Sequence, residues 1–226
     1  MLKKDKKEYV YSRLDGLLKP QGYKFYKAGL DPRYNLNTED YVVSLIFNFK
    51  DMGDVYLGNV ILSIKVVEDI MYEIKKPNQN YEHVDFKKYY LYTLIDKSFM
   101  KDEKRDENID DINKLRELVD NYINYLETTG KEFIETYSYL PNILKRMDEL
   151  EALGLNWNNR DIGVLSGSLD AYFRGLIISK LCNDTDFERK VSKMDVKFAQ
   201  TGYEEWVPYY ERLKERLKTV EPIYNL

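Results

Sequence analysis

The chain holds one histidine, His83, and one cysteine, Cys182, which leaves the common nucleophilic and metal-binding constellations little to draw on. A zinc site built from Cys and His would find two such ligands in the whole chain, against the four that a closed structural site uses. His83 stands in the polar run Asn80-Tyr81-Glu82-His83-Val84-Asp85, where Glu82 or Asp85 could orient it as a general base; an exposed loop histidine is the simpler reading. Cys182 follows the apolar helical run Leu176-Ile177-Ile178 and Leu181, and reads as an inert core thiol. A lone cysteine forms no internal disulfide, in keeping with a cytoplasmic protein.

Serine and glycine offer no stronger signature. The segment Gly163-Val164-Leu165-Ser166-Gly167-Ser168 lacks the Gly-x-Ser-x-Gly spacing that lifts a serine onto a strained elbow. Neither dinucleotide nor P-loop glycine spacing occurs. Gly163 and Gly167 ahead of a helix could aim amides at an anion, although a plain helix-entry turn needs less. Acidic residues number 39, so carboxylate pairs are available to a hydrolytic enzyme. The evident ones, Asp110-Asp111 and Glu149 with Glu151, read as helix surface. No metal and no cofactor is expected.

The residues best suited to binding lie in Leu155-Asn156-Trp157-Asn158-Asn159-Arg160-Asp161, which is polar, turn-prone and aromatic at once. Tryptophan and arginine are favoured anchors of protein interfaces, which makes Trp157, Asn158, Asn159, Arg160 and Asp161 the candidate binding residues. The competing reading folds Trp157 back onto a helix over 141–151 as a lid on the core. Trp206 shares this duality, and its stripe with Tyr210, Leu213 and Leu217 favours packing.

Hydrophobic periodicity supplies the elements that must carry these residues. Val10, Leu14, Leu17 and Leu18 predict a helix over 4–18, stopped by Pro20 and Gly22. Tyr23 and Phe25 suggest a short strand, and residues 35–40 a polar loop. Val43, Leu45, Phe47 and Phe49, then Val60, Leu62, Ile64 and Val66, alternate on either side of Asp51-Met52-Gly53-Asp54. That pattern predicts a hairpin over 41–67 with one buried face, needing cover from helices. A short helix follows at 68–74, a strand at 89–95 and a charged linker at 101–107. From residue 108 the period turns helical: one stripe from Ile109 to Leu126 closed by Gly130, then helices introduced by Pro141, Ser168 and Asp184, and a last one over 204–219. The fold class is therefore α+β, an antiparallel sheet in the N-terminal half packed against helices and a helical C-terminal half. It reads as a single compact unit over 1–226, with 1–107 the sheet-containing part and 108–226 the helical part.

Composition bounds the partners. Hydrophobic residues make up 43% and charged residues 33% of the chain, the balance of a folded protein. No apolar run approaches the ~20 residues that cross a bilayer, and no signal-peptide core follows the basic first residues, so no membrane association is expected. The net charge of −4 is shared unevenly, +1 over 1–107 and −5 over 108–226. The one basic cluster, Lys3, Lys4, Lys6, Lys7 and Arg13, reads as a solvated helix face, not the stripe that neutralises several phosphates. No nucleic acid is expected; a basic protein partner is. The 21 tyrosines sit beside only four alanines, a bias that A/T-rich codons explain without any binding surface.

Three stretches resemble a poorly characterised family of small bacterial α+β proteins with relatives among toxin-immunity and mobile-element genes. They are Leu14-Asp15-Gly16-Leu17-Leu18-Lys19-Pro20-Gln21-Gly22-Tyr23-Lys24, the hairpin 41–67, and Leu176-Ile177-Ile178-Ser179-Lys180-Leu181-Cys182-Asn183-Asp184. The resemblance covers about half of the chain and implies no catalytic residues; it adds weight to a binding role. The sequence thus points to a non-enzymatic interaction protein, of immunity type or associated with phage or mobile elements. The alternatives are a hydrolytic enzyme using carboxylates and a small-molecule binder with a Tyr-lined cleft beside the sheet.

Overall fold

A computed structural model of the chain describes residues 2–27, 32–49, 54–74, 92–99, 109 and 111–225. It has the expected α+β architecture: five strands in one antiparallel sheet, in the order β1-β2-β3-β4-β5, and helices through the C-terminal half. The contacts divide the chain into two units, Met1–Leu62 with Asp96–Thr136, and Ser63–Ile95 with Tyr137–Leu226. Among the described residues no helix is long and apolar enough to cross a membrane.

In the first unit, α1 (Lys3–Leu18) buries Lys6, Val10, Leu14 and Leu18, one residue per turn on a single stripe. A single 3-10 turn (Lys19–Gln21) containing Pro20 ends it. Gly22 then takes φ 91°, a conformation that suits glycine, and the Tyr23 amide bonds back to the Leu18 carbonyl. The chain enters β1 (Lys24–Tyr26), which pairs with β2 (Arg33–Asn37) in the register Lys24 to Asn35; β2 pairs with β3 (Tyr41–Phe49) in the register Leu36 to Val43. The polar loop expected over 35–40 is thus half strand. Asn35 and Leu36 have modest β preference, but Asn35 is paired on both sides, with Lys24 and Ser44, and Leu36 on one, with Val43, and that context outweighs propensity. Thr38 closes the β2–β3 turn, its hydroxyl and amide both bonded to the Tyr41 backbone.

β3 is followed in the sheet by β4 (Val55–Ile64), the two strands expected from the alternating pattern, but the second ends at Ile64 because residues 65–67 open a helix; the turn 50–53 lies outside the described residues. The expected single buried face is corrected: Val42 to Leu45 are all buried, and so are Leu57 to Leu62. Backbone crowding is one reason. A β-carbon on Gly58 would strike the carbonyl oxygen of Ile46. α3 (Ile112–Glu127) supplies another, because its Tyr122 hydroxyl donates to the Gly58 carbonyl at 2.7 Å and its Tyr125 hydroxyl accepts from the Val60 amide at 3.0 Å. The long stripe breaks at Thr128 and resumes as α4 (Thr129–Tyr137), so Gly130 does not close a helix. It sits buried near the start of α4 because a β-carbon there would lie 3.1 Å from the Tyr125 carbonyl and from a Val60 methyl.

In the second unit, α2 (Lys65–Ile74) and the two-residue β5 (Leu94–Ile95) precede four helices: α5 (Leu140–Ala152), α6 (Asp170–Leu181), α7 (Phe187–Phe198) and α8 (Val207–Leu217). α6 is buried on every side except at Lys180 and packs against α2, α5, α7 and α8, as an all-round apolar helix must. Pro141 stands in the first turn of α5, where its missing amide costs nothing. The expected helix over 204–219 begins three residues later, after the turn Tyr203–Trp206. The linker 101–107 and residues 89–91 of the strand proposed at 89–95 lie outside the described residues; of the rest of that stretch only Leu94 and Ile95 are strand, as β5.

Candidate functional site

The loop 155–161 is built inward. Trp157 is 3% exposed, its ring 5.9 Å from that of Tyr172 and its carbonyl taken by the amides of Val164 and Leu165. Asn158 donates both to Gly167 O at 2.9 Å and to Ser168 O at 3.0 Å, and Asn159 Oδ1 accepts from the amides of Asp161 and Ile162. Arg160 and Asp161 are exposed. Of the five candidate residues, then, two offer their side chains to solution, two hold the loop together and Trp157 is core. Trp206 is half-buried, edge-on to Phe173 at 5.8 Å.

The most elaborate polar cluster of the second unit surrounds Arg174 of α6. Its Nε and Nη2 donate to Glu68 of α2 at 2.7 and 3.0 Å, and Nη1 donates to Asp170 at 2.7 Å and Ser166 O at 3.1 Å. Thr93 adds a hydroxyl to Glu68 Oε1 at 2.6 Å while accepting the Ile64 amide. Arg174 is 2% exposed. Burial alone would lower its pKa, but the two carboxylates more than offset this and raise it. Asp170 also accepts the Ser168 amide at 2.9 Å, so the anion position suggested by Gly163 and Gly167 is filled by the chain's own carboxylate. Four of the guanidinium's N–H groups are thus spent on the fold.

A second cluster centres on Lys190 of α7, fully buried between Asp148 at 2.5 Å and Asp184 at 2.6 Å. Asp184 also accepts from the Ser179 hydroxyl, and its other oxygen takes the Asp186 amide. It therefore forms a turn before α7, whose cap position is Asp186. Cys182 is buried beside this group, and burial pushes its thiol up to about 12, aided by Asp184. Asp148 and Asp184 border an open cavity of about 510 Å³ with Pro141 and Leu144.

In the first unit, buried tyrosines pair with carboxylates: Tyr34 with Asp15 at 2.7 Å and Tyr125 with Asp96 at 2.6 Å. The same unit opens into a cleft of about 430 Å³. One wall comes from the end of α1, with Leu17, Leu18 and Gln21, one from Tyr23, Leu36 and Tyr41 at the sheet, and one from Leu126, Glu127, Lys131, Ile134 and Glu135 around the α3–α4 junction. Leu17, Leu36, Tyr41, Leu126 and Ile134 are each half-buried, so the floor is hydrocarbon still open to water. Glu127, Lys131 and Glu135 stand exposed on the rim, Lys131 pairing with Glu135 at 3.7 Å. Burial raises the Tyr23 hydroxyl pKa well above the usual tyrosine value, which keeps it a neutral donor.

The remaining sequence candidates take structural places. Asp111 caps α3 through the Asn113 amide, Glu149 pairs with Arg146, and Glu151 holds Arg189 and Lys193. His83 and Asp110 lie outside the described residues. Among the described residues no group of three or more His, Cys, Asp or Glu could hold a metal ion. Sequence reasoning offered a Tyr-lined cleft beside the sheet but named no residue of it, and the walls of this one come from stretches up to 118 positions apart, Leu17 to Glu135. It missed Arg174, although a charge amid Ala171-Tyr172-Phe173-Arg174-Gly175-Leu176-Ile177-Ile178 was a visible signal. No protein-family model matches the chain, nor does any curated protein or solved structure.

Proposed function

We propose that this protein is a non-enzymatic binding module whose working surface is the cleft of the first unit, and that its partner offers an apolar anchor flanked by positive charge. The observation that carries this reading is the ring of five half-buried apolar side chains around one concavity. Ligand clefts run from about 300 to 1,000 Å³, and filling this one removes hydrocarbon from water. Glu127 and Glu135 outnumber Lys131 on the rim, which favours a cationic surround. A basic partner of the kind met by an immunity-type or mobile-element protein fits this description. Tyr23 and Tyr41 in the wall support a second reading, a small aromatic or apolar ligand.

A fluorescently labelled peptide of alternating leucine and lysine tests the first reading, with a leucine–glutamate peptide as its counterpart. The basic peptide should bind, more weakly as salt rises, and Leu36→Glu or Ile134→Glu should weaken it at least roughly tenfold, the worth of one buried aliphatic side chain. Equal binding of both peptides, or no effect of the cleft substitutions in folded protein, would overturn it.

A further inference from the structure

The chain itself carries the chemistry that this cleft would accept, at the far end of the helix that walls it. Leu2 precedes α1 in extended conformation with 72% of its surface exposed. Lys3 and Lys4 follow directly and are exposed, as are Asp5 and Glu8; Lys6 is buried, and Lys7 is half-buried with its ammonium 5.6 Å from the Phe49 ring centre. Lys4 and Glu8 form an exposed pair at 3.7 Å, of a kind held weakly and readily exchanged for another partner. An exposed leucine followed by two exposed lysines complements a hydrocarbon cleft rimmed by Glu127 and Glu135.

We propose that a second copy of this chain occupies the cleft, inserting Leu2 head to tail while its Lys3 and Lys4 face Glu127 and Glu135. This rests on reading the cleft as a binding surface. A copy cannot fill its own cleft in this way. Leu17, Leu18 and Gln21 wall the cleft at the C-terminal end of α1, and the 16 residues of Lys3–Leu18 hold Leu2 about 24 Å away along a rigid helix. The two patches differ, so the contact is heterologous, and an open row keeps one unused patch at each end, Leu2 at one and the cleft at the other. Such a contact builds a ring or an open row, not a closed twofold dimer.

The test is sedimentation velocity of the full chain, tagged if at all at its C-terminus, across a concentration series at low and high salt. The unaltered chain should gain mass with concentration and lose it with salt. Leu2→Asp and Leu36→Glu should each weaken association at least roughly tenfold. Mixed, they should recover a one-to-one complex that grows no further, because one retains the cleft and the other retains Leu2. Glu127→Lys with Glu135→Lys, exposed on the rim, serves as the cleft variant if Leu36→Glu does not fold. A chain that stays monomeric throughout, a Leu2→Asp chain that associates like the unaltered one, or a mixture that fails to complement would each overturn the proposal. If the leucine–lysine peptide binds the cleft while the chain stays monomeric, the binding module stands and the self-association falls.

Discussion

The indole of Trp157 lies so close to Gly175 of α6 that a β-carbon on the glycine would overlap ring carbons Cε3 and Cζ3, with the Met147 methyl 3.1 Å away on another side. Glycine inside a helix ordinarily costs about 1 kcal/mol against alanine, so Gly175→Ala would stabilise an open helix. Here the sign should reverse, because overpacking a filled core costs about 1–3 kcal/mol. Chemical denaturation checks this: a Gly175→Ala protein more stable than the parent would show that the ring has room to move.

The same packing decides what Trp157 is for. Removing a buried tryptophan side chain costs about 3–5 kcal/mol, so Trp157→Ala should lower stability by that order. Arg160→Ala and Asp161→Ala, at exposed positions, should change it by less than about 0.5 kcal/mol. A folded Trp157→Ala protein of unchanged stability would return the residue to the surface.

Leu45 of β3 and Leu62 of β4 have no exposed surface, and truncating either to alanine should cost about 2–5 kcal/mol. A loss below about 0.5 kcal/mol at both, read from denaturation midpoints, would mean that the hairpin does not anchor its core.

The hairpin was legible from the alternation over residues 43–49 and 60–64, although Lys65 and Val66, which continue the pattern, open α2. The same pattern misled about faces: Ser44 and Asn59 occupy polar steps of the alternation and are nonetheless buried, since alternation reports preference for water and not what lies above the strand. Residues 35–37 looked like part of a loop because their pairing with β3, and at Asn35 with β1 as well, is absent from local composition. Trp157 was readable as either surface or core, and only the space left by Gly175, 18 positions on, decides it. A cleft beside the sheet could be named from the sequence but its residues could not, because Leu17, Leu36 and Ile134 meet by topology and by no local signal.

Arg174 should be costly to remove singly. Arg174→Met leaves Glu68 and Asp170 buried, at 2% and 5% exposure, without their cation, and breaking a buried pair in this way costs about 3–5 kcal/mol. Adding Glu68→Met should restore part of that loss, because an apolar pair of similar size avoids the stranded charge. A double variant less stable than Arg174→Met would show that Glu68 has enough other donors without the guanidinium.

Lys190 sits between two aspartates whose titrations should run in opposite senses. Burial works against ionisation of Asp184, but hydrogen bonds from Lys190, Ser179 and the Asp186 amide outweigh it and hold the carboxyl below its usual 3.8. A depressed folded value means that this stabilisation is fully present above 3.8 and disappears as the pH falls below it. Asp148 is shifted upward, chiefly by its partial burial and also by Asp184 and Glu151, against the pull of Lys190. Its ionised form is therefore the less favoured in the folded chain, and stability rises as the pH falls through that raised value. On acidification the cluster should first gain slightly, just above 3.8, and then lose steeply below it. Urea denaturation from about pH 7 to about pH 2 reads this by comparing each variant with its parent. The deficit of Asp184→Asn should be full at neutral pH and shrink below 3.8, whereas Asp148→Asn should abolish the small gain and leave the steep loss in place. A deficit of Asp184→Asn that stays constant to the lowest pH would show that its carboxylate is not what Lys190 and Ser179 hold.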